Sequence, residues 1–166
     1  MLAGPGFEDL EFWVVYMRMV EEGFTVWIAG SEKGKEYRSK SGGLVAKAEY
    51  AVSEIQARET DAVLVPGGWA PDKLRRDLSV LDLVRKVHHR GGVIGMICHA
   101  GLVGISAGIV TGKNATGSLG IKDDLENAGA VWVDKSALSD GNLVWGRVVK
   151  DIPYYCRELI NTLQNK

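Results

Sequence analysis

Apolar residues along the chain fall into two alternating patterns, short unbroken runs and spacings of three and four. Leu10, Trp13, Val14, Met17 and Val20 share one helical face, so a helix opening at Phe7–Glu11 and ended by Gly23 is expected. Phe24 to Ala29 and Asp61 to Val65 read as strands, the second stopped by the turn Pro66-Gly67-Gly68. From Asp77 a helix is expected to turn Leu78, Leu81, Val84 and Val87 inward. The run Val93 to Ile97, bounded by Gly91-Gly92, is β-branched and apolar and reads as a buried strand. Beyond Cys98 the spacing of Leu102, Val103, Ile105 and Ile109 becomes helical. Asn114 to Thr116 reads as a short strand and Ile121 to Ala128 as a helix. Val131–Val133 and Leu143–Trp145 read as late strands around the turn Asp140-Gly141-Asn142. A last helix begins near Asp151, with Pro153 in its first turn and Cys156 in its apolar stripe. Ser31 to Gly43 is polar and reads as a solvated loop, and Met1-Leu2-Ala3 is an apolar stub. Strands alternating with helices imply an α/β fold whose parallel sheet is covered on both faces.

Composition narrows this picture to a single soluble domain. The chain has 166 residues, 46% hydrophobic, with a net charge of −1. No basic footprint suggests nucleic acid, and no apolar run reaches the ~20 residues of a membrane span. Two cysteines make neither a disulfide framework nor a metal cluster, and a reducing cytoplasmic setting is expected. No cofactor or metal is implied. His88 and His89 end a helix and read as surface residues suited to its dipole.

The candidate chemistry collects at Cys98. A strand that turns abruptly into a helix makes an elbow, which lifts the side chain clear of the sheet edge. A helix N-terminus there favours the thiolate through its unpaired N–H groups and dipole. In parallel sheets ligands bind beyond the carboxyl ends of the strands, where Glu8, Gly67-Gly68 and Cys98-His99 all fall. His99 is a candidate general acid/base. Trp69 is expected near the crevice or a subunit contact, with core packing as the alternative.

Several stretches together resemble the PfpI-type intracellular protease family, within the class I glutamine-amidotransferase-like superfamily that also holds the parkinsonism-associated deglycase. They are Gly6-Phe7-Glu8-Asp9-Leu10-Glu11, Val65 to Pro71, Ile97-Cys98-His99-Ala100, Ser106-Ala107-Gly108 and Gly120 to Leu125. Asn127 to Asp134 and the Asp140-Gly141-Asn142 turn also match. The resemblance implies a flavodoxin-like three-layer α/β/α sandwich with Cys98 as nucleophile and Glu8 as the carboxylate on the thiol. It implies oxyanion donors at the backbone N–H groups of Gly68 and of His99 or Ala100. It also implies that His99 is oriented by Asp72 of a neighbouring subunit, in a dimer or hexamer. Three departures stand out: Asp72 replaces a glutamate, Ser118 replaces a pocket tyrosine, and the first strand is shortened to Met1-Leu2-Ala3.

A thiolate beside a carboxylate is disfavoured by like charge, so Glu8 is expected to be protonated when Cys98 ionises. Three functions follow. The first is a cysteine hydrolase of the peptidase type acting on peptides, with Cys98, His99, Glu8 and Asp72 as its machinery. The second is a cofactor-free glyoxalase or deglycase acting on small aldehydes or glycated amines. The third is a non-enzymatic redox sensor or stress chaperone.

Overall fold

The computed structural model describes residues 1–165. Ten strands and six helices follow in chain order. The helices are α1 (Asp9–Glu21), α2 (Ala70–Leu74), α3 (Leu78–His89), α4 (Gly101–Ala107), α5 (Lys122–Asn127) and α6 (Ile152–Gln164). The strands are β1 (Ala29–Gly30), β2 (Glu36–Arg38), β3 (Val45–Lys47), β4 (Tyr50–Ala51), β5 (Ala62–Val65), β6 (Val93–Ile97), β7 (Asn114–Ala115), β8 (Val131–Trp132), β9 (Ala137–Asp140) and β10 (Leu143–Gly146).

The core is a sheet in the order β5-β6-β10-β9, parallel except for β9. β6 is buried at every position because helices cover both faces, which is why its sequence is a continuous apolar run rather than an alternation. α1 and α6 lie on one face, and α3 and α4 pack together on the other. The layering is the α/β/α sandwich expected, with its mostly parallel central sheet.

The first strand is reduced to a seam. Leu2 bridges Ala29 on one side and donates its N–H to the Leu64 carbonyl on the other, at 2.9 Å, so it joins the β1-β4 pair to β5. Beside Met1 and Leu2 lies a cleft of about 340 Å³. The expected strand Phe24–Ala29 pairs as a strand only at Ala29, although the Trp27 carbonyl accepts from the Met1 amino group and the Ile28 carbonyl from the N–H groups of Glu49 and Tyr50.

Three other expectations are corrected. Ser31 to Gly43 is not a plain loop: β2 and β3 pair antiparallel, with Tyr37 buried and its hydroxyl accepting the Ser31 N–H at 2.7 Å. The inward stripe of α1 is Phe12, Val15 and Met19 with Glu11, whereas Leu10, Val14, Met17 and Val20 are exposed. Leu78 is exposed too, while Leu81, Val84 and Val87 are buried as expected. Cys156 is buried against the α6 side of the sheet. The hairpin at Asp140–Asn142 joins β9 to β10, and β8 pairs with β7.

Candidate active site

Cys98 follows β6 directly and starts a short helical turn, Cys98–Ala100, that runs into α4. Its φ is 61°, and it is the one non-glycine residue with positive φ among the described residues. A side chain held in the left-handed region costs of order 1–3 kcal/mol and persists only where the surroundings impose it. The surroundings here are β6, buried on both faces, and the Gly117–Ser118 backbone, whose Ser118 N–H donates to the Cys98 carbonyl at 3.1 Å. The strain turns a half-buried sulfur toward a cleft of about 890 Å³.

Glu8 does not reach that sulfur. Its carboxylate caps α1, with Oε2 accepting the N–H groups of Leu10 at 2.9 Å and Glu11 at 2.8 Å. An N-cap must lie beside the first helical turn, so the residue one turn later takes the inward position. That residue is Glu11, fully buried, and its carboxyl sits against the Cys98 thiol. Oε2 of Glu11 accepts the Gly67 N–H at 2.9 Å. Oε1 is buried with no formed hydrogen bond, so its contact with the thiol is loose in this geometry. Gly67 is required at that point because a Cβ there would lie 2.7 Å from the Cys98 Cβ.

Burial raises the pKa of Glu11 to about 7, helped by the neighbouring Glu8, while the thiol, the Gly67 N–H and Lys40 pull it down. Burial and the Glu11 carboxyl push the Cys98 thiol up to about 12, against the backbone N–H groups of His99 and Gly68, which approach the sulfur. The expected depressed thiol pKa is therefore overturned: desolvation outweighs the three-residue turn at which the sulfur sits. The two groups titrate as one unit, and between about pH 7 and about 12 that unit holds a single proton.

His99 presents Nδ1 to the Cys98 sulfur at 3.2 Å, an unusual outcome for adjacent residues that follows from the left-handed backbone at Cys98. Burial and Lys40 lower its pKa, which favours the neutral ring. Asp72 lines the cleft but is held by Arg76 Nη2 at 2.8 and 2.9 Å and by Lys73 Nζ at 3.4 Å, with no bond to His99 of its own chain. Gly68 has φ 77°, and a Cβ on it would meet the Gly6 carbonyl oxygen at 2.4 Å, so only glycine lets its N–H face the sulfur. Ala100 is fully buried, and the two N–H groups that approach the thiol are those of Gly68 and His99. Trp69 is 62% exposed at the cleft mouth, not packed in the core. Ser118 lies outside the cleft lining and caps the turn Leu119–Ile121 through the Gly120 N–H at 3.3 Å.

The chain resembles known proteins along nearly its whole length. The model of the DJ-1/PfpI family matches residues 1–162. Deglycase PfpI of Pyrococcus furiosus is 36% identical over 163 residues, covering 98% of this chain and 97% of that protein. The putative cysteine protease YraA of Bacillus subtilis is 34% identical over 164 residues, 99% of this chain and 96% of its own. The crystal structure of a two-domain protein from Anabaena variabilis, with DJ-1/ThiJ/PfpI-like and ferritin-like domains, superimposes with a TM-score of 0.96 at 34% identity. It is matched over 98% of this chain, which spans 47% of that longer one.

Proposed function

This chain belongs to the DJ-1/PfpI family, and on that footing we propose that it is a thiol-dependent enzyme of the deglycase type, acting on aldehyde adducts of amines. The observation that carries this reading is the fully buried Glu11 carboxyl, bonded to the Gly67 N–H and set against the Cys98 sulfur. Transfer of the thiol proton to the Glu11 carboxylate puts the charge on sulfur, between the N–H groups of Gly68 and His99. The sulfur forms a bond to the carbinol carbon of the adduct as the C–N bond breaks. The leaving amine takes the proton from Glu11, which remains as a carboxylate able to recover one in the following step. A proton carrier buried beside the nucleophile suits this exchange. A peptidase needs an imidazole oriented by an acid, and within one chain Asp72 is committed to Arg76.

Peptide hydrolysis is retained as the second reading because His99 Nδ1 lies 3.2 Å from the sulfur, and a second subunit would have to supply the orienting acid. A two-substrate assay separates the two. Release of free amine from methylglyoxal-treated Nε-acetyl-lysine, glycated on its α-amine, is expected from the wild type, none from Cys98→Ser, and little from Glu11→Ala. Equal release by Cys98→Ser overturns the thiol mechanism, and faster cleavage of a fluorogenic peptide than of the adduct replaces the deglycase reading with the peptidase one.

A further inference from the structure

The cleft over Cys98 is lined by three carboxyl groups and three lysines. Its three carboxyl groups are each committed within the chain. Glu8 caps α1, Glu11 shares a proton with Cys98, and Asp72 is bonded through both oxygens to Arg76. Its three lysines are less occupied. Lys73 is 3.4 Å from Asp72, whereas Lys40 and Lys150 have no carboxylate within 4.0 Å among the described residues. Lys40 is anchored by its backbone N–H to the Phe7 carbonyl at 2.7 Å, and its ammonium lies 5.8 Å from the centre of the Trp69 ring. That stacking holds a flexible cation over the mouth of the cleft by a contact that leaves its N–H donors free. Lys150 also lines the cleft, from the short turn Val149–Asp151 that precedes α6.

We propose that Lys40 and Lys150 form an anion subsite beside Cys98, so that the adducts the enzyme takes carry a carboxylate next to the glycated amine, as free amino acids do. This inference rests on the deglycase-type reading for its substrate, though not for the existence of the subsite. The chemistry of the recognition is general. An ammonium held near a low-dielectric cleft attracts an anion far more than one in open solvent, and the attraction is screened by salt. An adduct on a protein lysine side chain presents no such charge near the reacting carbon. An adduct on glycine presents it two bonds from the nitrogen.

Two measurements test the subsite, the first without reference to turnover. Cys98 is alkylated with iodoacetate and with iodoacetamide, and the rate ratio is compared with that of 2-mercaptoethanol, the label being located by mass spectrometry. The anionic reagent is expected to be favoured about fivefold, and the preference to fall toward that of the free thiol in Lys40→Gln/Lys150→Gln and at 0.5 M salt. No preference, or one that the double substitution leaves intact, overturns the proposal. The second measurement compares kcat/KM for the methylglyoxal adducts of glycine, glycinamide and aminomethylphosphonate. The glycine adduct is expected to lead glycinamide by about tenfold, the worth of one well-placed ionic contact of about 1.4 kcal/mol. A phosphonate faster than glycine makes the anion a phosphate rather than a carboxylate and overturns the amino-acid assignment. If no adduct reacts while iodoacetate is still preferred, the deglycase reading fails and the subsite stands.

Discussion

At the scale of single residues, the site rests on a strained cysteine and a displaced carboxyl. Cys98 at φ 61° stores strain that a glycine would not. Cys98→Gly is therefore expected to unfold at higher denaturant than Cys98→Ala, by about 1 kcal/mol, because both lose the sulfur and only one keeps the Cβ. Equal midpoints would show the turn to be relaxed. Glu11 gives a pH signature whose sign follows from its raised pKa. The unfolded chain releases this proton near 4.5 and the folded chain near 7, so the folded state binds it more tightly. The stability this provides is full below pH 4.5 and is lost as pH rises through about 7. At about 1.36 kcal/mol per unit the loss amounts to about 3 kcal/mol. Glu11→Gln keeps an acceptor for the Gly67 N–H and cannot ionise, so chemical denaturation should show it gaining on the wild type by about that amount between pH 4.5 and 7.5. A wild-type–variant difference that is flat with pH would contradict the buried, proton-sharing carboxyl.

At the scale of elements, the sheet is held together at an unusual place. Leu2, fully buried, is the residue through which β1 and β5 share hydrogen bonds. Leu2→Ala is expected to cost about 2–5 kcal/mol, the range for truncating a buried leucine, and thermal unfolding measures it. A loss under 1 kcal/mol would mean that the seam carries no load. The elements themselves were legible where a pattern had one explanation. The run Val93–Ile97, the glycine turn after β5 and the final helix all lie where the apolar spacing puts them. Helix α1 carries two apolar stripes, and the larger of them, with Leu10, Val14, Met17 and Val20, faces outward. Following that stripe hides Glu11, which belongs to the smaller inward stripe with Phe12, Val15 and Met19. Three-residue spacing from Glu8, an N-cap flanked by acidic residues, is the signal that points to it. The pairing of β2 with β3 had no such signal, since its two buried positions, Tyr37 and Ala46, stand singly among exposed neighbours.

At the scale of the whole molecule, one helix serves the site with its inner face and leaves its outer face uncovered. Met17 is 62% exposed, in line with exposed Leu10, Val14 and Val20. We propose that the self-association expected from the sequence covers this stripe. Met17→Lys is expected to shift sedimentation toward the monomer, and an unchanged distribution would move the interface elsewhere. Among the described residues no helix is long and apolar enough to cross a membrane. The account as a whole depends on the partnership of Cys98 with Glu11 rather than with Glu8. The most direct measurement is the rate of Cys98 alkylation by iodoacetamide across pH 5 to 10 in the wild type, Glu11→Gln and Glu8→Gln. An inflection near 7 is expected in the wild type and in Glu8→Gln, and its disappearance in Glu11→Gln. An inflection that survives in Glu11→Gln and vanishes in Glu8→Gln would contradict the account.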